Sequence, residues 1–236
     1  KSQLQPGSQE EGVIKIKGGQ ATQKIDKLYL YVMTKYEKEV NDKTKMANAT
    51  VQEVDLPIST EIGPGEEEEH PFSFILDKQT PVSGLRSPVW IKTGLDIKMA
   101  LDPTDKDKIE TIPHPYLTKV LNALEKLGFR KKSIENEYYY RGSKLPFVQE
   151  FEFLSVGEFN SALDELEMVY YIQPNGIKLI LETDIRGRGI SGFFAEVTDS
   201  DERKGKIIIT KENLNQDFIV SKLRSQIKKQ ISETPK

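Results

Sequence analysis

The side chains from which chemistry could be assembled are few. The sequence holds two histidines, His70 and His114, and no cysteine, which removes disulfides, thiolate metal sites and thiol nucleophiles together. His114 stands between two prolines and His70 directly precedes Pro71. A general base needs a partner to position it, and both histidines read as local structural residues. Carboxylates supply the other candidates. Asp102, Asp105 and Asp107 offer oxygen to a hard cation, but an EF-hand loop also needs its turn glycine and a closing bidentate glutamate, which this spacing does not supply. A solvated, proline-initiated turn is the stronger reading. Glu150/Glu152 and Glu165/Glu167 lie two apart. On a strand that spacing sets each pair on one face, and the expectation is a solvent face, not an acid–base pair. Glu66 to Glu69 reads as a solvated loop that also protects a sheet edge. Gly187-Arg188-Gly189, with Arg186 before it and Gly192 after it, lacks the Lys-Ser/Thr ending and following helix of a phosphate loop, so a β-turn is expected. No Gly-x-Ser-x-Gly elbow is present. These patterns give no sign of catalysis, and no catalytic residue, cofactor or metal is expected.

The elements that would position such groups are mostly strands. Ile14 and Ile16 alternate with Lys15 and Lys17, the period of a half-buried strand. Residues 25–36 form a longer run with Leu28, Leu30 and Val32 on one face. Residues 40–55 suit a strand or two around a turn at Asn41-Asp42. Phe72, Phe74 and Leu76 alternate, as do Val89, Ile91, Leu95 and Ile97 over 89–99. After a Pro-bounded connector at 109–115, Leu117, Val120, Leu121, Leu124 and Leu127 recur at helical spacing, and Gly128 supplies a C-terminal stop. This helix is expected to brace a small interface between two domains. Strands then restart at 134–141 and 145–154, the latter with Phe147, Phe151 and Phe153 opposite Val148, Glu150 and Glu152. Further strands are expected at 166–172, 177–185, 189–197 and 205–210, with Pro174-Asn175-Gly176 as a hairpin turn. Regular short strands between turn clusters argue for sandwiches.

Residues 213–231 read as a second helix. Ile219, Leu223, Ile227 and Ile231 form one stripe, accompanied by Lys222, Arg224, Lys228 and Lys229. The stripe is a candidate surface for partner binding or self-association, and its receiver is the second sandwich, a sister subunit or a regulatory partner. A basic amphipathic helix can also lie on a membrane, but no Trp or Phe sits in 221–231 to anchor it, so docking on protein is preferred.

Composition narrows the partners. The chain has 236 residues, a length for one large domain or two ordinary ones, with Lys+Arg 34 against Asp+Glu 37 for a net charge of -3. So small a charge does not favour nucleic-acid binding. No apolar run approaches the roughly 20 residues needed to span a bilayer, and no secretory signal opens the sequence. A cytoplasmic protein is expected.

Several blocks carry a resemblance. They are Lys17-Gly18-Gly19, the runs 25–34, 71–74, 89–97 and 102–107, Gly128-Phe129-Arg130, and Leu145-Pro146-Phe147-Val148-Gln149-Glu150-Phe151-Glu152-Phe153. In this order, over nearly the whole chain, the sequence resembles the sporulation-control proteins of Bacillus and relatives, of the stage-zero sporulation protein M type. The resemblance implies an arrestin-like, all-β fold of two tandem sandwiches, with a short connecting helix and a C-terminal helix. The expected domains are 1–112 and 116–236. It also implies a further N-terminal strand before Lys1, and a non-enzymatic cytoplasmic regulator of sporulation that works through protein partners. Unpaired sheet edges add the expectation of a homodimer. The rival readings are a carrier of an apolar ligand held inside one sandwich and a membrane-surface adaptor using the basic helix.

Overall fold

The computed structural model describes residues 3–41, 43–57, 59–97, 104–139, 144–185 and 205–233. Asp102, the turn at 186–192, the strand expected over 189–197 and the end of the C-terminal tail lie outside the described residues. The chain divides into two compact units: Lys1–Lys35 with Met46–Ile112, and Tyr36–Lys45 with Pro113–Lys236.

The strands reached in the first half are β1 (Gln3–Leu4), β2 (Gln9–Lys17), β3 (Gln23–Val40), β4 (Lys43–Leu56), β5 (Thr60–Ile62), β6 (Glu67–Ile75), β7 (Val89–Ile97) and β8 (Thr104–Thr111). In the first unit β2 and β6 make one antiparallel pair, and β1, β8, β7 and β3 follow in order in a second sheet, with β4 and β5 also paired to β3. The inward faces obey strand alternation: Ile14 and Ile16 on β2 are buried, and Leu28, Leu30 and Val32 on β3 are fully so. Asn41 reverses the chain between β3 and β4 at φ 54, a conformation that asparagine tolerates better than most residues.

Two charged segments, one expected as a loop and one as a turn, stand on strands. Glu67 and Glu69 stand within β6, where β2 places Lys17 and Lys15 directly opposite. The resulting ion pairs are 2.8 Å for Lys17–Glu67 and 2.7 Å for Lys15–Glu69, all four side chains well exposed. The acidic run therefore matches a lysine-bearing strand instead of a loop. Asp105 and Asp107 stand on β8, which continues antiparallel along β7.

The C-terminal part of the second unit opens with α1 (Pro115–Lys126). His114 caps it, its ring Nδ1 accepting from the Tyr116 N–H at 3.2 Å, and Pro115 occupies the first helical turn, where a missing N–H is harmless. After Leu127 the chain leaves through Gly128 at φ 80, and a Cβ there would overlap the backbone of Gly157. Five antiparallel strands follow in simple order: β9 (Phe129–Tyr138), β10 (Phe147–Ser155), β11 (Leu163–Gln173), β12 (Gly176–Ile185) and β13 (Gly205–Thr210). Residues 36–45 join this unit through β3, where Glu37 pairs with Glu137 of β9 and the Tyr36 ring stacks on Tyr138 and Phe147. The helix α2 (Gln216–Glu233) closes the unit, with the Asn215 carboxamide oxygen accepting from Phe218 N–H at 2.8 Å.

The layer on this sheet consists, among the described residues, of α1 and α2, which pack on each other and on β9, β12 and β13. On β13 Ile207 and Ile209 are buried beneath them while Ile208 is half exposed. Leu117, Val120 and Leu124 of α1, expected to brace two domains, are fully buried within the second unit. Ile219, Leu223 and Ile227 of α2 are likewise fully buried. Of the three receivers left open for the α2 stripe, the second unit itself takes them, and only Ile231 keeps part of its surface. Replacing Leu223 with Ala is expected to destabilise the protein by about 2–5 kcal/mol, the range for emptying a packed core position. Ile231→Ala should lie well below that range, and urea unfolding of the two variants checks the contrast.

Candidate functional site

The strongest concentration of unexplained chemistry lies on the sheet face opposite the helices. Glu150 and Glu152 do share a face of β10, as their spacing requires, but the solvent face expected for them is wrong at Glu150. It is 5% exposed, and Glu167 of β11 is 6% exposed. β10 and β11 are inner strands of the sheet, and the same face holds the buried Val148 and Val169 with Tyr139, Tyr171 and Ile180 packed on them.

Register brings the acids together. Glu152 stands opposite Glu167, Glu167 opposite Glu182, and Glu150 opposite Glu135. One carboxylate oxygen from each of Glu150, Glu152 and Glu167 lies within 4.8 Å of the other two. Glu152 is oriented by the Ser133 hydroxyl, which donates to its Oε2 at 2.7 Å. Lys132 spans the rim, 2.6 Å from Glu165 Oε1 and 3.5 Å from Glu152 Oε2. Glu150 Oε2 and Glu167 Oε2 are buried with no hydrogen-bond partner, an uncommon condition for buried oxygens.

The electrostatics follow. Burial pushes the Glu150 carboxyl up to about 9, and Glu137, Glu167, Glu152 and Glu135 add to the rise. Burial raises Glu167 to about 7, with Glu182 the foremost of the acidic neighbours that reinforce it. The group is thus suited to holding protons at neutral pH or to holding a cation. No signal in the sequence separates this pair from surface acids; only knowing that β10 and β11 are inner strands would have done so.

The other candidates take different places. In the first unit a cavity of about 580 Å³ is lined by Ile14, Ile16, Leu30, Phe72, Phe74 and Ile91, with Asp105 and Asp107 also on its wall. That volume falls in the range of small-molecule sites. The expected partner stripe Ile219, Leu223 and Ile227 is spent on the second unit's own core. Its basic flank is partly neutralised, with Arg224 at 2.8 Å and Lys228 at 3.2 Å from Glu158, which hold that carboxyl below its usual range. His70 pairs with Glu68 at 2.8 Å. No helix among the described residues is long and apolar enough to cross a membrane.

The raised carboxyls predict a pH dependence of stability. Below the ordinary carboxylate value of 4.5 both folded and unfolded chains carry the protons, and no penalty arises. As pH climbs, the unfolded chain ionises first while the folded one retains its protons, so these groups lower stability with rising pH. The Glu167 part is complete above about 7 and the Glu150 part above about 9. In chelator-treated buffer, Glu150→Gln is expected to match wild type near pH 4 and to melt progressively higher than wild type towards pH 9. Parallel melting curves across that span would contradict the burial of this carboxyl.

Comparison with known proteins agrees with the resemblance in the sequence. The family model for SpoOM protein matches residues 1–187. The sporulation-control protein spo0M of Bacillus subtilis (strain 168) is 33% identical over 232 residues, covering 97% of this chain and 89% of that protein. The crystal structure of Spo0M, sporulation control protein, from Bacillus subtilis superposes with a TM-score of 0.88 at 32% identity, covering 98% of this chain and 95% of that one. Sequence and fold thus agree along almost the full length, and the chain belongs to the SpoOM protein family.

Proposed function

We propose that this protein is a non-enzymatic regulator in the control of sporulation, acting in the cytoplasm by binding other proteins. The observation that carries the reading is its 33% identity, over 97% of the chain, to a sporulation-control protein of Bacillus subtilis. The two histidines support it from the side of chemistry. His114 is engaged as a helix cap and His70 is bonded to a glutamate two residues away on its own strand.

An extended partner segment suits the edge of the second unit. Among the described residues β13 pairs with β12 alone, and Ile208 stands half exposed on it. Strand addition uses such an edge, with backbone hydrogen bonds for affinity and a side chain of this kind for selectivity. The same edge suits pairing of two copies into a homodimer. A second reading, a carrier of an apolar ligand, draws support from the cavity of the first unit.

Expression of this chain in a Bacillus subtilis strain lacking its spo0M relative tests the proposal. The wild-type chain is expected to return the count of heat-resistant spores to the parental value. Ile208→Lys, a change at an exposed position, should accumulate and melt like wild type yet restore the count less well. A folded wild-type chain that leaves the count at the deletion value overturns the reading. An apolar molecule that stays bound in native mass spectrometry would favour the carrier.

A further inference from the structure

We propose that Glu150, Glu152 and Glu167 form a binding site for a hard divalent cation. The inference is independent of the regulatory reading and concerns the inner strands β10 and β11, not the β13 edge. It rests on two observations. The first is spacing. Oxygens that share a hard cation such as calcium stand at most about 5 Å apart, and the three carboxylates bring an oxygen each within 4.8 Å of one another. The second is the state of the inner oxygens. Glu150 and Glu167 are more than nine-tenths buried, and their Oε2 atoms meet no donor. A cation satisfies several such lone pairs at once and removes the mutual repulsion of the acids, where a proton answers one oxygen only.

The surroundings fit a cation site beyond these three residues. The ligand type is right for a hard ion: carboxylate oxygen, with no sulfur or imidazole among the three. Glu152 is held by the Ser133 hydroxyl at 2.7 Å, the kind of outer support that orients metal ligands. Its side chain is 23% exposed, so an ion and its waters have a route from solvent past Lys132. The Lys132 ammonium sits closest to Glu165 and neutralises the rim, not the two buried carboxylates. Ligands from β10 and β11 would tie these neighbouring strands together, so an occupied site makes the sheet more resistant to unfolding.

The test uses the full chain after chelator treatment and dialysis. Calcium chloride is titrated by isothermal calorimetry, and melts are run with millimolar calcium, magnesium or manganese against potassium chloride of equal ionic strength. Calcium is expected to give a saturable heat and to raise the melting temperature by several degrees, with chelator reversing the shift. Glu150→Gln and Glu167→Gln keep the shape of the side chain, and each is expected to weaken binding by roughly tenfold or more. Glu233→Gln, an exposed change at the end of α2, should leave it unaltered. If an amide variant fails to fold, the ionic-strength comparison on wild type still decides. No heat and no shift from any of the three cations overturns the proposal, as does a shift that potassium reproduces. A calcium response retained in both amide variants also overturns it.

Discussion

The pairing register of β10 with β11 is the constraint on which the second unit depends. Successive strand side chains point to opposite faces, so committing Phe151 and Phe153 to the helix-covered face sends Glu150 and Glu152 to the other. Opposite Glu152 the register sets Glu167, and opposite Glu167 it sets Glu182. A slip of one residue would turn Leu166 and Met168 onto the acidic face and drive glutamates beneath α1 and α2. The deep apolar burial of Phe151, Leu166, Met168, Leu179 and Leu181 makes that slip costly. The carboxylates are therefore gathered because the opposite face cannot be arranged otherwise.

Gathering like charges on inner strands is unfavourable by itself. Local preference and global fold disagree here, and such disagreements are where functional sites are often found. The helix-covered side shows the contrast. There Tyr170 Oη donates to Gln149 Oε1 at 3.0 Å and Gln149 Nε2 to Asn136 Oδ1 at 3.1 Å. On the acidic side the buried oxygens of Glu150 and Glu167 have no such chain. The same two strands thus carry a hydrogen-bonded amide and phenol chain on one face and unpartnered carboxylate oxygens on the other.

Two glutamate patterns of similar appearance meet opposite fates. Glu67 and Glu69 stand opposite lysines on an exposed pair of strands, each ion-paired within 3 Å and open to water. Glu150 and Glu167 stand next to other acids on strands covered from solvent. The α2 helix shows a parallel division. Its aliphatic residues Ile219, Leu223 and Ile227 are buried on its own unit, while Glu158 partly neutralises its basic flank through Arg224 and Lys228.

Much of this architecture was legible in the residues. Alternation of Leu28, Leu30 and Val32 specified β3 and its inner face. The spacing of Leu117, Val120 and Leu124, bounded by Pro115 and Gly128, specified α1, and that of Ile219, Leu223 and Ile227 specified α2. The blocks shared with the sporulation-control proteins indicated the family. These signals are local, because periodicity and turn chemistry act over a few residues. What surrounds each face is not local. Whether Glu150 meets water or Glu167, whether Glu67 closes a loop or pairs with Lys17, and whether Leu223 meets a partner or β13 depend on residues tens of positions away. Sequence spacing set which side chains share a face; only the tertiary pairing of strands and helices decided which faces were covered and what charge stood opposite them.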